Sequence, residues 1–206
     1  MTCWSCTADV LEGTVFCPSC RKIQPVGRNE DHFSLLGVAR EFAVDVPDLE
    51  RRFRDLSRQL HPDRFARAEP RERRLSLERA TRLNDAFRSL KDWRQRAAQL
   101  LRLAGTDVFQ EGRTFADPDF LEEQLEWREE LALATADADA ERLGRIAADA
   151  RERLRHIEEE VAHHFADERW FSDLPVDIAR RLSRARYYDN IVSDAERASA
   201  TARTPR

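Results

Sequence analysis

Glycine and proline are scarce in this 206-residue chain, which contains only six Gly and eight Pro. A β-sandwich needs frequent Gly/Pro turns, and collagen-like or disordered Gly/Pro-rich chains need far more of both residues. The scarcity therefore excludes these three classes. Charged residues make up 36% and hydrophobic residues 41% of the chain, with much Arg, Glu, Ala and Leu. This composition favours long helices around modest cores.

Long apolar runs are also missing, because no stretch approaches the roughly 18 residues that a membrane span requires. The first residues, Met1 to Cys6, have neither the basic segment nor the apolar segment of a signal peptide. We therefore expect a soluble, cytoplasmic protein that does not contact a membrane.

Cysteine is absent after residue 20, whereas a disulfide framework would spread its cysteines over the fold. Two Cys-x2-Cys pairs separated by ten residues are typical of tetrahedral Zn²⁺ sites with four thiolate ligands. Four thiolates leave no open coordination position, so the spacing favours structural zinc in a short knuckle. Two disulfides and a redox pair are the alternatives. The ligands of this predicted site are Cys3, Cys6, Cys17 and Cys20.

The charge is divided unevenly along the chain. Residues 51–74 contain nine Arg against four acidic residues, a net charge of +5, and residues 111–170 contain 18 acidic residues against eight Arg, a net charge of −10. A basic module is therefore followed by an acidic one. The basic module can bind nucleic acid or an acidic protein surface. Its Arg residues, however, are not interleaved with aromatic residues as they are in proteins that bind single-stranded nucleic acid.

The pattern of breaks and helical stretches predicts three modules joined by polar connections. The modules are a cysteine knuckle (1–22), a first helical module (31–105) and a second helical module (117–197). A linker (23–30) and a connecting loop (106–116) join them, and a flexible tail (198–206) follows. In the second module, three long segments carry apolar stripes at helical spacing, which predicts a three-helix bundle.

In the first module, a short helix is closed by Gly37, and Asp45 is a good N-cap for the next helix. Pro62 disfavours the helical conformation at His61, so the second helix ends there. The apolar face of this helix consists of Leu49, Phe53, Leu56 and Leu60, and its opposite face carries Arg51, Arg54 and Arg58.

Three motifs of the first module together resemble the J-domain of DnaJ-class co-chaperones. They are Phe33-Ser34-Leu35-Leu36-Gly37, His61-Pro62-Asp63-Arg64-Phe65 and Leu83-Asn84-x-Ala86-Phe87-x-x-Leu90. The second module narrows the resemblance, since residues 120–131 and 184–191 are similar to the C-terminal domain of HscB, the J-type co-chaperone of iron–sulfur cluster assembly. The resemblance covers residues 31–195. It implies an all-α fold with a J-domain helical hairpin and a C-terminal three-helix bundle, preceded here by the zinc knuckle.

The resemblance also implies a mechanism in which the chain is not itself an enzyme. J-domains stimulate ATP hydrolysis by a DnaK/HscA-type chaperone, and the His-Pro-Asp turn and the basic helix before it dock on the ATPase domain. Transferred to this chain, the chaperone-binding residues are His61, Pro62, Asp63, Arg51, Arg54, Arg58 and Arg64.

In HscB proteins the C-terminal bundle carries the scaffold protein IscU on an apolar patch. The matching residues here are Leu121, Leu125 and Tyr187, while Glu122 stands where the family often has an apolar residue. A J-protein with another client and a zinc-ribbon protein that binds nucleic acid are the alternatives. The resemblance favours the co-chaperone, without nucleic acid as a partner, and we expect a monomer because each helical module can bury its own stripe.

Overall fold

The structure is a computed structural model, and it describes residues 1–27, 29–106, 118–167 and 169–202. Nearly all of the predicted connecting loop (106–116) and the last four residues of the predicted tail lie outside these residues. The described residues form eight α-helices and a single 3₁₀ turn, Pro62–Phe65. The helices are α1 (His32–Leu36), α2 (Val46–Leu60), α3 (Pro70–Lys91), α4 (Trp93–Leu103), α5 (Pro118–Ala136), α6 (Ala140–Ala166), α7 (Trp170–Asp173) and α8 (Pro175–Ala202).

The all-α fold class is confirmed, since β-structure in the described ranges is limited to two isolated bridges, Thr2 with Asp9 and Phe16 with Ile23. None of the described helices combines the length and the apolarity that crossing a bilayer requires. The chain divides into two compact units, Met1–Gln99 and Leu100–Arg206, with the division inside α4.

In the first unit, α2 and α3 form an antiparallel hairpin, and α1 packs on both helices. The Phe53 and Phe87 rings stack across the hairpin with centroids 4.1 Å apart. The predicted helix boundaries are confirmed here: the Asp45 carboxylate caps α2, and Gly37 ends α1 with a left-handed φ of 65°. The α2 helix ends at Leu60, as the Pro62 signal predicts.

The segment 23–30, predicted as a linker, differs from that prediction in the structure. Ile23 and Gln24 are fully buried, and Ile23 bridges to Phe16. The backbone carbonyls of Gln24 and Pro25 accept hydrogen bonds from Arg79 of α3, at 2.6 and 2.9 Å. The polar composition predicts a linker because it does not reveal the residue that holds this segment. That residue, Arg79, lies more than fifty positions away in the sequence.

In the second unit, α6 and α8 pack along each other, and α5 lies against both. The core of this three-helix bundle includes Ile146, Val161, Ile178 and Tyr188. Helix α6 is capped by Asp139, and the sequence pattern places its start near Asp137. Helix α8 continues to Ala202, further than the predicted end at residue 197, since the Ala-rich sequence after Ala195 has a high helix propensity.

Candidate functional site

The four cysteines lie in two equivalent knuckle turns. In the first turn the Thr7 N–H donates to the carbonyl of Cys3 at 3.1 Å, and in the second the Arg21 N–H donates to the carbonyl of Cys17 at 2.9 Å. Thr7 and Arg21 have left-handed φ values of 62° and 59°, a conformation that costs a non-glycine residue about 1 kcal/mol. In both knuckles, this left-handed residue directly follows the second cysteine of the pair and reverses the direction of the chain.

The two knuckles bring all four sulfur atoms within 4.8 Å of one another. The Sγ atoms of Cys3 and Cys20 are 3.6 Å apart, and those of Cys6 and Cys17 are 3.7 Å apart. A tetrahedron with metal–sulfur bonds of about 2.3 Å has edges of about 3.8 Å, so the cluster has the size for one metal ion. All four cysteines are free thiols, so the paired disulfides of the alternative interpretation are not formed.

Hydrogen-bond donors in the cluster favour the thiolate form of Cys3. The Ser5 N–H and the Gln24 side-chain amide both donate to the Sγ of Cys3, at 3.4 and 3.3 Å. Burial would raise the pKa of Cys3, but backbone N–H groups, including that of Ser5, outweigh it and lower this pKa to about 6. The Lys22 N–H lowers the pKa of Cys20, yet burial and the neighbouring thiols raise it to about 12. The thiols therefore share negative charge unequally, and a divalent cation would neutralise that charge.

The cysteine unit packs on the start of α3. The Lys22 ammonium pairs with Glu72 at 2.7 Å and with Glu69 at 3.1 Å, and these carboxylates raise the pKa of Lys22. The Arg71 guanidinium lies over the Trp4 ring, 4.6 Å from its centroid. Lys22 and Trp4 of the cysteine unit thus contact the start of α3 in the same chain.

The His61-Pro62-Asp63 turn lies at the exposed end of the α2–α3 hairpin. The side chains of His61 and Asp63 are 57% and 90% exposed. Nδ1 of His61 accepts a hydrogen bond from the Asp63 N–H at 3.3 Å, which orients the ring across the turn. Behind the turn, the Ser76 hydroxyl donates to the carbonyl of Leu60 at 2.7 Å. The turn is therefore accessible at its tip and held at its base.

The predicted basic residues of α2 are exposed, but each is paired with a carboxylate on the same helix. Arg51 pairs with Asp48, Arg54 lies 3.8 Å from Glu50, and Arg58 pairs with Asp55. Arg64, beyond the turn, donates to the carbonyl of Arg58 at 3.4 Å. In contrast, three exposed residues after the turn, which belong to the basic stretch 51–74 but carry no predicted role, form no ion pair within the described ranges. They are Arg67, Arg73 and Arg74.

The predicted scaffold-binding residues lie on the second unit. Leu121 and Leu125 of α5 are 59% and 68% exposed, so neither belongs to the bundle core. Tyr187 of α8 is half-buried, and its hydroxyl donates to the carbonyl of Gln124 at 2.7 Å. Its ring meets Phe120 edge-on, with centroids 5.4 Å apart. Burial raises the pKa of the Tyr187 hydroxyl, so Tyr187 is a neutral, partly accessible aromatic residue beside the exposed leucines.

A groove of about 520 Å³ between α5 and α8 begins at Tyr187. This groove is not predictable from the sequence, because residues 128–132 form one wall and residues 187–197 form the other. Arg128 on one wall lies over the Tyr187 ring, 5.9 Å from its centroid. On the buried side, the Tyr188 hydroxyl donates to Glu123 at 2.6 Å, and burial raises the pKa of this hydroxyl above its usual range. The Tyr188–Glu123 bond thus fixes α8 against α5 beneath the surface residues.

Comparison with known proteins places this geometry among co-chaperones. A family model described as the HSCB C-terminal oligomerisation domain matches residues 116–196. The co-chaperone protein HscB homolog of Aromatoleum aromaticum is 38% identical over 175 residues, which cover 84% of this chain and 97% of that protein. The homolog of Bordetella petrii is 42% identical over 127 residues, 61% of this chain and 75% of that protein.

Two solved structures share the architecture. The crystal structure of human co-chaperone protein HscB has a TM-score of 0.84 and 28% sequence identity, and the match covers 95% of this chain and 97% of that one. The chaperone HscB from Vibrio cholerae has a TM-score of 0.71 and 31% identity, with 84% of this chain and 99% of that one covered. The similarity therefore extends over nearly the whole fold.

Proposed function

Because the chain belongs to the HscB family of co-chaperones, we propose that it stimulates ATP hydrolysis by a DnaK/HscA-type chaperone through its His61-Pro62-Asp63 turn. The observation that carries the proposal is the state of this turn, which is exposed at the His61 and Asp63 side chains and anchored at Leu60. In this account the chain performs no chemistry of its own. It binds one conformation of the chaperone better than another and so shifts the equilibrium between them.

The physical properties of the turn suit this role. Pro62 restricts the backbone, and the hydrogen bonds of His61 and Leu60 hold the turn before a partner arrives. Less conformational freedom is then lost on binding. The exposed guanidinium groups of α2, together with Arg64, give the surface a positive potential that orients an acidic partner and speeds encounter. The α2 carboxylates moderate that potential, and Arg67, Arg73 and Arg74 extend it past the turn.

The experiment is stimulation of the chaperone ATPase by the full chain, with wild type and His61→Gln compared at equal concentration. The matched control is His156→Gln, since His156 is an exposed histidine on α6, far along the chain from the turn. We expect His61→Gln to lose most of the stimulation and His156→Gln to retain it. Equal stimulation by wild type and His61→Gln would overturn the proposal.

For the second unit, we propose that it binds the iron–sulfur scaffold protein IscU on Leu121, Leu125 and Tyr187. The support is the exposure of both leucines, one helical turn apart, beside an aromatic ring that is anchored to α5. Tyrosine is one of the residue types enriched in interface hot spots, and the two exposed leucines add apolar area to the same surface. Glu122 lies exposed next to Leu121, and we expect it to lie at the rim of the contact.

Binding of purified IscU by the full chain tests this assignment. The double variant Leu121→Ala with Tyr187→Ala should lose binding, while Leu133→Ala should keep it, because Leu133 is an exposed leucine of the same helix twelve residues further on. If the double variant binds as well as wild type, the scaffold is held elsewhere. If wild type does not bind IscU, the chain is a J-protein with another client.

For the cysteine cluster, we propose that Cys3, Cys6, Cys17 and Cys20 hold one structural Zn²⁺. The sulfur spacing fits a four-thiolate tetrahedron. When bound, zinc supplies folding free energy to a unit whose own apolar cluster consists only of Val10, two cysteines and a few partly buried neighbours. Four thiolates fill a tetrahedral coordination sphere, which favours a structural role.

A further inference from the structure

The first three turns of α3 contact two parts of the first unit at once. On one side the Ser76 hydroxyl holds the carbonyl of Leu60, at the base of the His-Pro-Asp turn. On the other side Arg79, three residues later, holds the segment that follows the cysteine cluster. We propose that Arg79 is a positioning residue that couples metal occupancy of the cysteine cluster to the order of the His61-Pro62-Asp63 turn.

A continuous chain of hydrogen bonds connects the cluster to α3. The side-chain amide of Gln24 donates to the Sγ of Cys3 at 3.3 Å, and to the carbonyl of Lys22 at 2.8 Å. The backbone carbonyl of the same Gln24 accepts from Nε of Arg79 at 2.6 Å. Gln24 is fully buried and Arg79 is 1% exposed. The Sγ atom of Cys3 and the guanidinium of Arg79 are therefore connected through a single residue, Gln24.

All the remaining acceptors of Arg79 lie in the segment that the cluster organises. Its guanidinium donates to the carbonyls of Pro25 and Thr14, at 2.9 and 3.3 Å, and pairs with the Glu30 carboxylate at 3.3 Å. Thr14 precedes the second knuckle, and the other acceptors follow it. If the knuckles lose their metal and unfold, Arg79 remains as a buried charge without acceptors. A buried guanidinium without partners is strongly unfavourable, so the side chain must turn toward water. The start of α3 then loses the contacts with residues 14–30 that hold it in place.

Surface contacts add to the coupling at the first turn of α3. Lys22 pairs with Glu69 and Glu72, and Trp4 lies under Arg71. The 3₁₀ turn that contains Pro62 and Asp63 ends only five residues before α3 begins. Movement of this helix end is thus transmitted to the turn directly along the chain, and also through Ser76.

Amide hydrogen exchange on the full chain tests the proposal without any chaperone. The zinc-loaded protein is compared with protein stripped by a chelator under reducing conditions, so that the thiols stay reduced. We expect exchange at 61–66 and 70–79 to become about tenfold faster or more on stripping, while α6 and α8 remain unchanged. An effect confined to residues 1–27 would overturn the proposal. A uniform rise over α1, α2 and α3 would overturn it too, because it would indicate general destabilisation.

A double-mutant cycle separates the role of Arg79 from general stability. In Arg79→Leu, exchange at 61–66 should already be fast, and stripping the metal should add little, because the connection is broken in both states. Arg79→Lys should restore part of the protection. The matched control is Arg82→Leu, an exposed arginine one turn further along α3, which should behave as wild type. Additive effects of metal removal and Arg79→Leu would show that Arg79 does not transmit the change.

If Arg79→Leu does not fold, Lys22→Gln replaces it in the cycle, since Lys22 makes the surface contact between the same two elements. This variant should show partial loss of protection at 61–66 and a reduced response to stripping. An unchanged response would contradict the coupling.

The activity arm of the test rests on the proposed function. Stripping the metal should raise the concentration needed for half-maximal ATPase stimulation, while the maximal rate is unchanged, because the turn is less ordered before binding. If the zinc-loaded protein does not stimulate the chaperone ATPase, the proposed function is wrong. The exchange data would still decide the coupling, so the two failures are distinguishable.

Discussion

The hydroxyl of Ser76 on α3 donates a hydrogen bond of 2.7 Å to the carbonyl of Leu60, the last residue of α2. The carbonyls of a last helical turn have no partner within their own helix, and Ser76 satisfies this one in the interior of the first unit. The residue before the His-Pro-Asp turn is thereby fixed to the facing helix. This bond makes the turn a part of the α2–α3 hairpin instead of a loose connection.

Replacing Ser76 with Ala removes the donor and leaves a buried carbonyl unsatisfied. The expected cost is about 1–3 kcal/mol of unfolding free energy, measured by urea unfolding. Thr81→Ala is the control on the same helix, because the Thr81 hydroxyl is exposed and bonds only to Leu77 of its own helix. We expect Thr81→Ala to change stability by about 0.5 kcal/mol or less. Equal effects of the two variants would mean that the Ser76 bond does not hold the hairpin.

Substitutions at the two adjacent tyrosines should have different consequences. Tyr188→Phe deletes a buried hydroxyl that donates to Glu123, so it should lower the stability of the second unit by about 1–3 kcal/mol in thermal or urea unfolding. Tyr187→Phe keeps the ring against Phe120 and deletes a hydroxyl at the half-buried edge, so we expect a smaller loss of stability and unchanged IscU binding. If Tyr187→Phe loses binding as completely as Tyr187→Ala, the hydroxyl and not the ring carries the contact.

Asp92 makes the first unit sensitive to acid. Burial would raise the pKa of its carboxyl, but the Arg94 side chain and the N–H groups of Gln95 and Arg94 lower it below the usual value. A lowered folded-state pKa contributes stability that is fully present above the unfolded value of about 3.9 and is lost as the pH falls through the folded value. Asp92→Asn retains a capping oxygen but not the charge. The variant should be less stable than wild type at neutral pH, and the gap should shrink in acid. A gap that is independent of pH would refute this assignment.

Purified protein should contain about one zinc ion per chain, measured by elemental analysis against protein concentration. Cys17→Ser should lose the metal, because Cys17 is a buried member of the cluster and four ligands are required. The control is Ser19→Ala, which changes a residue between the second pair of ligands without removing a thiolate. Metal-free wild-type protein with protected amides in both knuckles would contradict the zinc proposal.

Features that depend on residues close together in the sequence could be predicted from it. The Cys-x2-Cys spacing predicted the sulfur cluster because the ligands of each pair are local. The caps at Asp45 and Gly37 were predictable for the same reason, since a cap depends on residues within one turn. The boundaries after Ala195 and before Asp139 moved by a few residues, where helix propensity and capping compete without a strong stop signal.

Other features depend on residues that are distant in sequence, and these were not predictable. The burial of Gln24 requires Arg79, and the groove beside Tyr187 requires the approach of α5 and α8. Helical spacing alone does not distinguish a core leucine from a surface leucine at position 125, and the structure places Leu125 on the exposed face of α5. The roles of the His61 turn and of the leucine pair came from family resemblance, and they stay predictions until binding is measured.

Chaperone ATPase measurements with and without IscU test most directly whether one unit binds the chaperone and the other binds the scaffold. The proteins compared are wild type, His61→Gln and the Leu121→Ala/Tyr187→Ala variant. We predict that His61→Gln retains IscU binding but stimulates little under either condition. We predict that IscU raises the stimulation by wild type further, and that the second variant retains stimulation without IscU but lacks this further rise. Identical ATPase rates for all three proteins would contradict the claim that one unit engages the chaperone and the other the scaffold.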